Sequence, residues 1–281
     1  MILVADSGST NTDWVILDQG KIISSFKTKG FNPYFTSSKE VFTEIKAKTP
    51  KEIDVENITN IYFYGSGCSS ADMNNIIQNG LKQYFTKSII EINHDLLGAA
   101  RALFHNEEGI AVILGTGANT CHYNGKEITK NVPSLGFILG DEGGGDYMGK
   151  LFITDYLYGN LSKEITSNFE KKYILDKNKI LQKVYKEPYP NRFLASFTEF
   201  ILENSNEAYI NEIIRNTFRN LFKVHICKYN NYQKYNIRVT GSVGYHFKKQ
   251  LIEVATEFSA KINLIEKNPI SRLAQFHILG L

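Results

Sequence analysis

The chain has 281 residues, 42% of them hydrophobic, and a formal net charge of +3, so it is long enough for two domains of ordinary size. Its lysines and arginines are scattered, so we do not expect a nucleic-acid partner. No window approaches the roughly 20 apolar residues of a membrane helix, and the first apolar run ends too early for a signal peptide, so we do not expect a membrane partner. Three widely separated cysteines, Cys68, Cys121 and Cys227, argue against a disulfide framework and indicate the cytoplasm.

The first hundred residues alternate between strand-like and helix-like segments. Apolar runs of strand length end at turn residues, and amphipathic runs between them predict helices. Such alternation implies parallel pairing in an α/β sheet. The predicted strands are residues 2–5, 14–17, 22–28, 61–64 and 88–92, and the predicted helices are residues 39–47, 71–85 and 96–104.

A second strand-rich segment begins at residue 110 and repeats the pattern of the amino terminus. In both places an apolar run ends in a loop of small and hydroxylated residues, and a second strand-like run follows. We therefore predict two related lobes, one of residues 1–105 joined by the last helix (about 267–281), the other of residues 106–266 with a helical insertion. The later predicted elements are a mostly helical stretch at 143–235, strands at 237–240 and 261–265, a helix at 245–258 and a final helix that starts at Pro269.

The first loop, Asp6-Ser7-Gly8-Ser9-Thr10-Asn11-Thr12-Asp13, combines carboxylates, a glycine and several hydroxyls. A glycine lets backbone N–H groups approach phosphate oxygens because no Cβ intervenes. A carboxylate beside a phosphate is repulsive unless a cation lies between them, and Mg²⁺ needs only one or two carboxylates, so Asp6 is a candidate metal-binding residue. The alternative is a tight hairpin in which Asp and Ser serve as turn formers.

Two further loops of small residues follow strands, Gly115-Thr116-Gly117-Ala118-Asn119 and Thr240-Gly241-Ser242-Val243-Gly244. The second of these precedes a predicted helix, whose N-terminus it would aim at an anion. Three such loops at the carboxyl ends of strands are expected to converge on one crevice and bind a nucleotide. The candidate nucleotide-binding residues are Ser7, Gly8, Ser9, Thr10, Gly115, Thr116, Gly117, Gly241 and Ser242.

Two familiar nucleotide motifs are excluded. Gly115-Thr116-Gly117 is followed by Thr120 at the position where a Rossmann fingerprint needs a third glycine. The segment from Gly144 to Lys150 is close to a P-loop, but Leu151 stands where Ser or Thr is required and no strand precedes it. The glycine loops therefore indicate a different kind of nucleotide site.

Asp95 and residues 136–146 hold the acidic groups that could act in catalysis. Asp95 follows a predicted strand and precedes a helix, so it is either an N-cap or a general base that takes a proton from an attacking hydroxyl. The neighbouring His94 is expected to point the opposite way. In residues 136–146 three consecutive glycines lie beside Asp141, Glu142 and Asp146, which indicates either a flexible helix cap or a functional loop.

These segments, in this order, resemble the sugar kinase, actin and heat-shock-chaperone ATPase superfamily, and within it the N-acetylglucosamine kinases of the BadF/BadG/BcrA/BcrD ATPase family. Residues 6–13 match the first phosphate motif, D-G-G-G-T-K-T-D, with Asn11 in place of Lys; residues 114–119 match the second phosphate motif and residues 240–244 the adenosine motif. Residues 136–143 match G-W-L-L-G-D-E-G with Phe137 for Trp. The resemblance implies an α/β protein of two ribonuclease-H-like (actin-like ATPase) lobes, each a mixed sheet with helices, around a central nucleotide cleft.

The resemblance also implies an activity. It is that of a homodimeric kinase that uses ATP and Mg²⁺ to phosphorylate the primary hydroxyl of an amino sugar, most simply N-acetylglucosamine to its 6-phosphate. Asp95 matches the catalytic base, which also contacts the substrate, and Asn32 matches a sugar-contacting Asn. Asp141 matches an acidic residue that contacts the sugar or the metal-bound phosphate, and Gly136 completes the candidate substrate-binding residues.

Several alternatives stay open at this point. Leu135 stands where the animal N-acetylglucosamine kinases carry a Trp, so glucosamine, N-acetylmannosamine and N-acetylmuramic acid are also candidate substrates. A related ATPase, the activator of 2-hydroxyacyl-CoA dehydratase, needs paired cysteines for an iron–sulfur cluster, and the three cysteines here do not offer that motif. A non-catalytic regulator of the same fold is the third class.

Overall fold

The structure, a computed structural model, describes residues 1–280. In this part of the chain ten strands form two sheets, with thirteen α-helices and three short 3₁₀ helices between them. The strands are β1 (Ile2–Ser7), β2 (Asn11–Asp18), β3 (Lys21–Lys29), β4 (Asn60–Gly65), β5 (Ile89–His94), β6 (Gly109–Leu114), β7 (Ala118–Tyr123), β8 (Ile128–Val132), β9 (Asn236–Thr240) and β10 (Lys261–Glu266).

The helices are short, and most lie between the strands or in one long insertion. The α-helices are α1 (Ser38–Lys48), α2 (Ala71–Lys82), α3 (Asp95–Phe104), α4 (Gly136–Leu139), α5 (Gly145–Tyr158), α6 (Lys163–Lys172), α7 (Lys177–Tyr185), α8 (Pro190–Ala195), α9 (Thr198–Glu203), α10 (Ala208–Val224), α11 (Ser242–His246), α12 (Lys248–Glu257) and α13 (Ile270–Leu279). The 3₁₀ helices span Val55–Asn57, Ile226–Lys228 and Tyr232–Lys234.

The first sheet contains β1 to β5 in the order β3-β2-β1-β4-β5. β2 is antiparallel to β1 and β3, whereas β4 is parallel to β1 and β5. Both faces of β1 are buried, since Leu3 and Ala5 belong to one hydrophobic core with Trp14, and Val4 belongs to another with Leu273. Successive side chains of a strand point to opposite faces, which is why a strand covered on both sides reads as an unbroken apolar run.

The second sheet has the order β8-β7-β6-β9-β10, which repeats the order of the first sheet position by position. Its central strand β6 is buried through Ile110, Ala111, Val112 and Leu114, and β9 is parallel to β10. Two mixed five-stranded sheets with helices between their strands make an α/β architecture of two similar lobes. The predicted fold class is confirmed.

By their internal contacts the described residues form two compact units. The first unit contains Met1–Ala111, Tyr123–Thr129 and the chain from Asn268 onward, and the second contains Val112–His122 and Lys130–Lys267. The lobe limits at residues 105 and 266 stay predictions, as does a cleft between the lobes. Within residues 1–280 no helix has both the length and the apolar character that a membrane crossing requires.

The stretch predicted to be helical over residues 143–235 forms α5 to α10, which bury apolar faces. α10 buries side chains at spacings of three and four, from Ile210 to Phe222. The predicted helix at 245–258 is wrong in one respect, because it is two helices, α11 and α12. Phe247 separates them, since its backbone leaves the helical conformation (φ −102°, ψ 25°) while its side chain is buried.

Candidate functional site

The first glycine loop, residues 7–11, joins β1 to β2 as a tight hairpin. The Gly8 N–H donates to the Asn11 carbonyl oxygen at 3.0 Å. Gly8 and Thr10 are exposed and Ser9 is half-buried. A Cβ at Gly8 would meet only the Asn11 oxygen, at 3.8 Å, so the backbone here is open to an approaching ligand.

The Ser7 side chain lies inside the first unit. Its Oγ is 2.7 Å from Thr12 Oγ1 and accepts a hydrogen bond from the Phe31 N–H at 3.0 Å. The hydroxyl is fully buried, so it holds the loop against the segment that follows β3. A contact between this hydroxyl and a phosphate stays a prediction.

Gly30 is a structural residue of the site that sequence reasoning missed. Its N–H donates to the Thr10 carbonyl at 2.8 Å, and a Cβ placed on it would lie 2.3 Å from the Gly8 carbonyl oxygen. Only glycine allows the two backbones to approach so closely. The sequence Gly30-Phe31-Asn32-Pro33 carries the signal, because a glycine just after a strand often marks close approach.

Asn32 follows on the same segment, beside the loop after β4. Its Oδ1 accepts a hydrogen bond from the Tyr34 N–H at 3.0 Å. A Cβ on Gly67 would lie 2.5 Å from this oxygen, so the Asn32 amide packs on the backbone at Gly67. The structure therefore places Asn32 where strands β1 and β4 of the first sheet end.

Three carboxylates of the first unit lie near one another, at Asp6, Asp13 and Asp95. Asp6 faces Asp13 across the β1–β2 pair. Burial, with the charges of Asp95 and Asp13 adding to it, raises the pKa of Asp6 to about 7. Asp13 has partners of its own, since Lys27 Nζ lies 2.8 Å from it and the Asn268 amide donates to it at 2.7 Å.

The Asp6 site fits a hydrated magnesium ion by its chemistry. Within residues 1–280 no group of three or more His, Cys, Asp or Glu side chains could hold a metal ion by itself. Mg²⁺ keeps several waters and uses one or two carboxylates together with phosphate oxygens, so it does not need such a group. A cation beside Asp6 would relieve the repulsion among the neighbouring carboxylates.

Asp95 is the first residue of α3, directly after β5. The N-cap of this helix is His94, not Asp95, and the His94 Nδ1 lies 2.7 Å from Asp95 Oδ1. The expectation that these side chains point in opposite directions is wrong, because His94 is both the last residue of β5 and the N-cap of α3, and the chain turns into the helix at Asp95. Asp95 has only 18% of its side chain exposed.

The second glycine loop, residues 115–117, joins β6 to β7 at the corresponding place in the second sheet. The Gly115 N–H donates to the Gly117 carbonyl at 3.0 Å, and a Cβ on Gly115 would meet nothing within 4 Å. The start of α5 supports the loop from behind. Gly145 N–H donates to the Gly115 carbonyl at 2.9 Å, and Asp146 N–H donates to the Thr116 carbonyl at 2.8 Å.

Two buried carboxylates, Asp141 and Asp146, lie beside the second glycine loop. Asp141, at a positive φ of 61°, accepts hydrogen bonds from the Ala118 N–H at 3.3 Å and from the Ser134 hydroxyl at 3.2 Å. Asp146 is 1% exposed, and its Oδ2 has no hydrogen-bond partner among the described residues. Burial, the negative charge of Asp141 and a hydrogen bond with the Asp141 side chain raise the pKa of Asp146 to about 8.

Gly136, unlike this buried pair, is exposed. It begins the four-residue α4 at a positive φ of 74°, and a Cβ there would meet nothing within 4 Å. Leu135, Ile138 and Leu139 nearby are at least 60% exposed. The segment is tied down by Lys150, whose Nζ donates to the Phe137 carbonyl at 3.0 Å.

The third glycine loop, residues 241–244, packs on the second. Gly241 has a φ of 112°, and a Cβ on it would lie 2.3 Å from the Leu114 carbonyl oxygen. The helix that follows, α11, has only five residues, so the expected contribution of its N-terminus to anion binding is small. Beside it lies a cavity of about 250 Å³ lined by Thr198, Glu199, Leu202, Ser242, Val243, His246 and Phe247.

The structure thus brings the candidate residues together in two groups. In the first unit, Asp6, the first glycine loop, Asn32 and Asp95 lie where the parallel strands β1, β4 and β5 end. In the second unit, the second and third glycine loops and Asp141 adjoin. No disulfide joins Cys68, Cys121 and Cys227, of which the first two are buried and the third is exposed.

Comparison with solved structures finds proteins of the same fold. A proposed N-acetylglucosamine kinase from Porphyromonas gingivalis is 35% identical, with a TM-score of 0.94 over 99% of this chain and 99% of that chain. A proposed N-acetylglucosamine kinase from Chromobacterium violaceum is 12% identical (TM-score 0.75, 98% of both chains), and a ROK family glucokinase from Streptomyces griseus, solved with glucose and AMPPNP, is 11% identical (TM-score 0.58, 99% and 98%). The last two likenesses show the fold alone. No family model and no curated protein matches the chain.

Proposed function

This chain belongs to the sugar kinase family of the Porphyromonas gingivalis protein, and we propose that it is an ATP-dependent kinase for the primary hydroxyl of an amino sugar. The proposed substrate is N-acetylglucosamine, and the proposed product is its 6-phosphate. Membership of the BadF/BadG/BcrA/BcrD family stays a prediction. A cytoplasmic, homodimeric enzyme without nucleic-acid or membrane partners is part of the same proposal.

One observation carries the kinase proposal. In each sheet the central strand ends in a glycine loop whose backbone is unobstructed, since a Cβ at Gly8 would meet only one atom at 3.8 Å and a Cβ at Gly115 would meet none within 4 Å. A backbone that is open in this way can come close to phosphate oxygens. We assign the first loop (Ser7, Gly8, Ser9, Thr10) and the second loop (Gly115, Thr116, Gly117) to the β- and γ-phosphates of ATP.

The base of the nucleotide has a candidate pocket in the second unit. The cavity beside Gly241 and Ser242 is lined by the apolar side chains of Leu202, Val243 and Phe247 together with polar groups. A mostly apolar slot with a few polar groups suits a flat heterocycle. We propose that adenine occupies this cavity and that Gly241 and Ser242 contact the adenosine.

The proposed catalytic base is Asp95 of the first unit, and the proposed sugar-binding residues come from both units. In the proposed reaction Asp95 accepts the proton of the sugar hydroxyl, and Asn32, Gly136 and Asp141 hold the sugar. Asp6 would hold Mg²⁺ through water, and the metal would supply positive charge that offsets the charge of the phosphates. Positioning and charge neutralisation, not covalent chemistry, would give most of the acceleration.

The proposal is tested with Gly115→Ala and Asp95→Asn in a coupled assay of ADP release. A Cβ at Gly115 meets no atom of the protein, so the variant should unfold at the wild-type temperature while its KM for ATP rises about tenfold or more, because the methyl group blocks a phosphate. Asp95→Asn should lower kcat by about 100-fold or more. Wild-type kinetics in both variants would contradict the proposal.

The substrate is tested in the same assay with a panel of amino sugars. N-acetylglucosamine should give the highest kcat/KM, ahead of glucosamine, N-acetylmannosamine and N-acetylmuramic acid. A different order of kcat/KM values would support the kinase proposal but change its proposed substrate. ATP hydrolysis with no phosphorylated sugar would point to the activator or regulator class instead.

A further inference from the structure

His94 makes two contacts that compete for one atom. Its Nδ1 lies 2.7 Å from Asp95 Oδ1 and also 3.1 Å from the backbone nitrogen of Leu96. A ring nitrogen accepts when it has no proton and donates when it has one, so His94 Nδ1 cannot accept from Leu96 and donate to Asp95 at once. The distances decide which contact prevails.

The contact with Asp95 is the stronger of the two. A carboxylate oxygen 2.7 Å from a nitrogen lone pair is repelled unless a proton lies between them, and charge-assisted hydrogen bonds are shorter and stronger than neutral ones. The Leu96 N–H belongs to the first turn of α3, where N–H groups have no intrahelical partner in any case. Asp95 Oδ1 is buried and has no hydrogen bond of regular geometry among the described residues, so its 2.7 Å contact with His94 Nδ1 is the one that can satisfy it.

We propose that His94 is a positioning residue for Asp95: the Nδ1–H of His94 donates to Asp95 Oδ1, which leaves Oδ2 to receive the proton of the attacking hydroxyl. The catalytic part of this inference rests on the proposed function, whereas the hydrogen bond itself does not. In the step, the hydroxyl proton passes to Oδ2, the hydroxyl oxygen forms a bond to the γ-phosphorus, and the bond from that phosphorus to the bridging oxygen breaks and releases ADP. His94 itself neither gains nor loses a proton.

The charges around the pair agree with this geometry. Burial lowers the pKa of His94, but the hydrogen bond to Asp95 and its negative charge outweigh burial, so the pKa is raised. The other titratable groups near Asp95 are Asp6 and Cys68, and its charge adds to burial in raising the pKa of each. Both are acids, so neither brings a positive charge to Asp95.

The hydrogen bond is tested without any enzyme assay, by an NMR titration of the histidines in the full chain and in Asp95→Asn. The His94 pKa should lie above about 6.5, the ordinary value for histidine, in the wild type and fall below it in the variant, where burial alone remains. His277, whose pKa is lowered to about 4 by burial and by Arg101, is the internal control and should not change. An unchanged His94 titration would overturn the proposal.

The positioning role is tested by two variants of the same size, His94→Asn and His94→Asp. Both side chains are good N-caps, but only Asn can donate to Asp95, while Asp repels it. His94→Asn should keep kcat within a few-fold of wild type, and His94→Asp should lower kcat about tenfold or more with an unchanged KM for ATP. Equal kcat values in the two variants would overturn the proposal. If the wild type phosphorylates no sugar, the kinase proposal fails, and the titration still decides whether the pair forms.

Discussion

The first and second glycine loops occupy the same place in two sheets of the same strand order, yet different chemistry holds each in shape. Hydroxyl groups and backbone fix the first, through the Ser7–Thr12 contact and the close approach of Gly30. The Asp141 carboxylate and the backbone N–H groups at the start of α5, where the buried Asp146 lies, support the second. A repeated topology therefore sets where a loop lies, whereas the surrounding groups decide how it is held in shape.

The largest expected effect comes from the glycine that packs against each loop. A Cβ on Gly30 or on Gly241 would lie 2.3 Å from a backbone oxygen of its loop, which cannot move aside as a side chain could. Gly30→Ala should lower the free energy of unfolding by about 2 kcal/mol. Gly241→Ala should lower it by about 1–3 kcal/mol more, because its positive φ adds strain.

Denaturant titration of the four matched variants measures this effect. Gly8→Ala and Gly115→Ala are the controls, since their Cβ atoms meet no protein atom closer than 3.8 Å. The controls should stay within about 1 kcal/mol of wild type. If Gly30→Ala were as stable as Gly8→Ala, the close approach of the two backbones in the first unit would be refuted.

An effect with a distinctive pH dependence is expected from Asp146→Asn. The pKa of Asp146 is raised in the folded chain to about 8 from an ordinary value near 4, so the folded state binds more protons than the unfolded state between these pH values. Wild-type stability should therefore fall as pH rises from about 4 to about 8, by at most about 1.4 kcal/mol per pH unit from this group. Asp146→Asn should remove this contribution and leave the one from Asp6, whose pKa is raised in the same direction.

Thermal unfolding across this pH range checks the prediction for Asp146. The second unit should gain stability relative to wild type as the pH rises, because the amide cannot ionise. The same slope in the wild type and in Asp146→Asn would mean that Asp146 ionises freely. That result would remove the buried Asp146 carboxylate from the comparison of the two glycine loops.

The smallest effect is expected at Asp13 in the first unit, where the carboxylate has two partners. Lys27→Met breaks an ion pair whose lysine is 71% exposed, so the loss should be about 0–1 kcal/mol and should shrink with added salt. Asn268→Ala removes a hydrogen bond to the same, mostly buried carboxylate and should cost about 1–2 kcal/mol at any salt concentration. Calorimetry at two ionic strengths distinguishes the two variants. An equal salt response in Lys27→Met and Asn268→Ala would contradict the prediction.

Much of the fold could be predicted from local sequence. The run at residues 2–5 and its counterpart at 110–114 are buried on both faces, and such strands leave a plain apolar signal. The break at Phe247 left none, because it depends on where a buried ring packs. Strand order also exceeds what periodicity reveals, and the resemblance implied only that each lobe contains a mixed sheet.

The candidate site, like the fold, could be predicted from the sequence only in part. The glycine loops and the acidic residues were identifiable because glycine and aspartate at strand ends are rare except in turns and sites. The close approach of Gly30 to Gly8 joins residues far apart along the chain, and the pairing of Asp141 with Asp146 depends on the fold of the intervening turn. The direction of the His94 ring depends on the exact point at which β5 gives way to α3, and boundaries of elements are what sequence patterns define least well.

The helix α13 completes a core that begins with the first residues of the chain. Leu273 and Ala274 pack with Val4, Val15 and Leu17. In a nascent polypeptide, one side of the earliest strands is therefore only partly covered, by residues such as Ala102 of α3, until residues 270–279 are translated. During this interval chaperones can bind the exposed apolar surface. A premature stop codon before residue 270 would leave that surface permanently exposed.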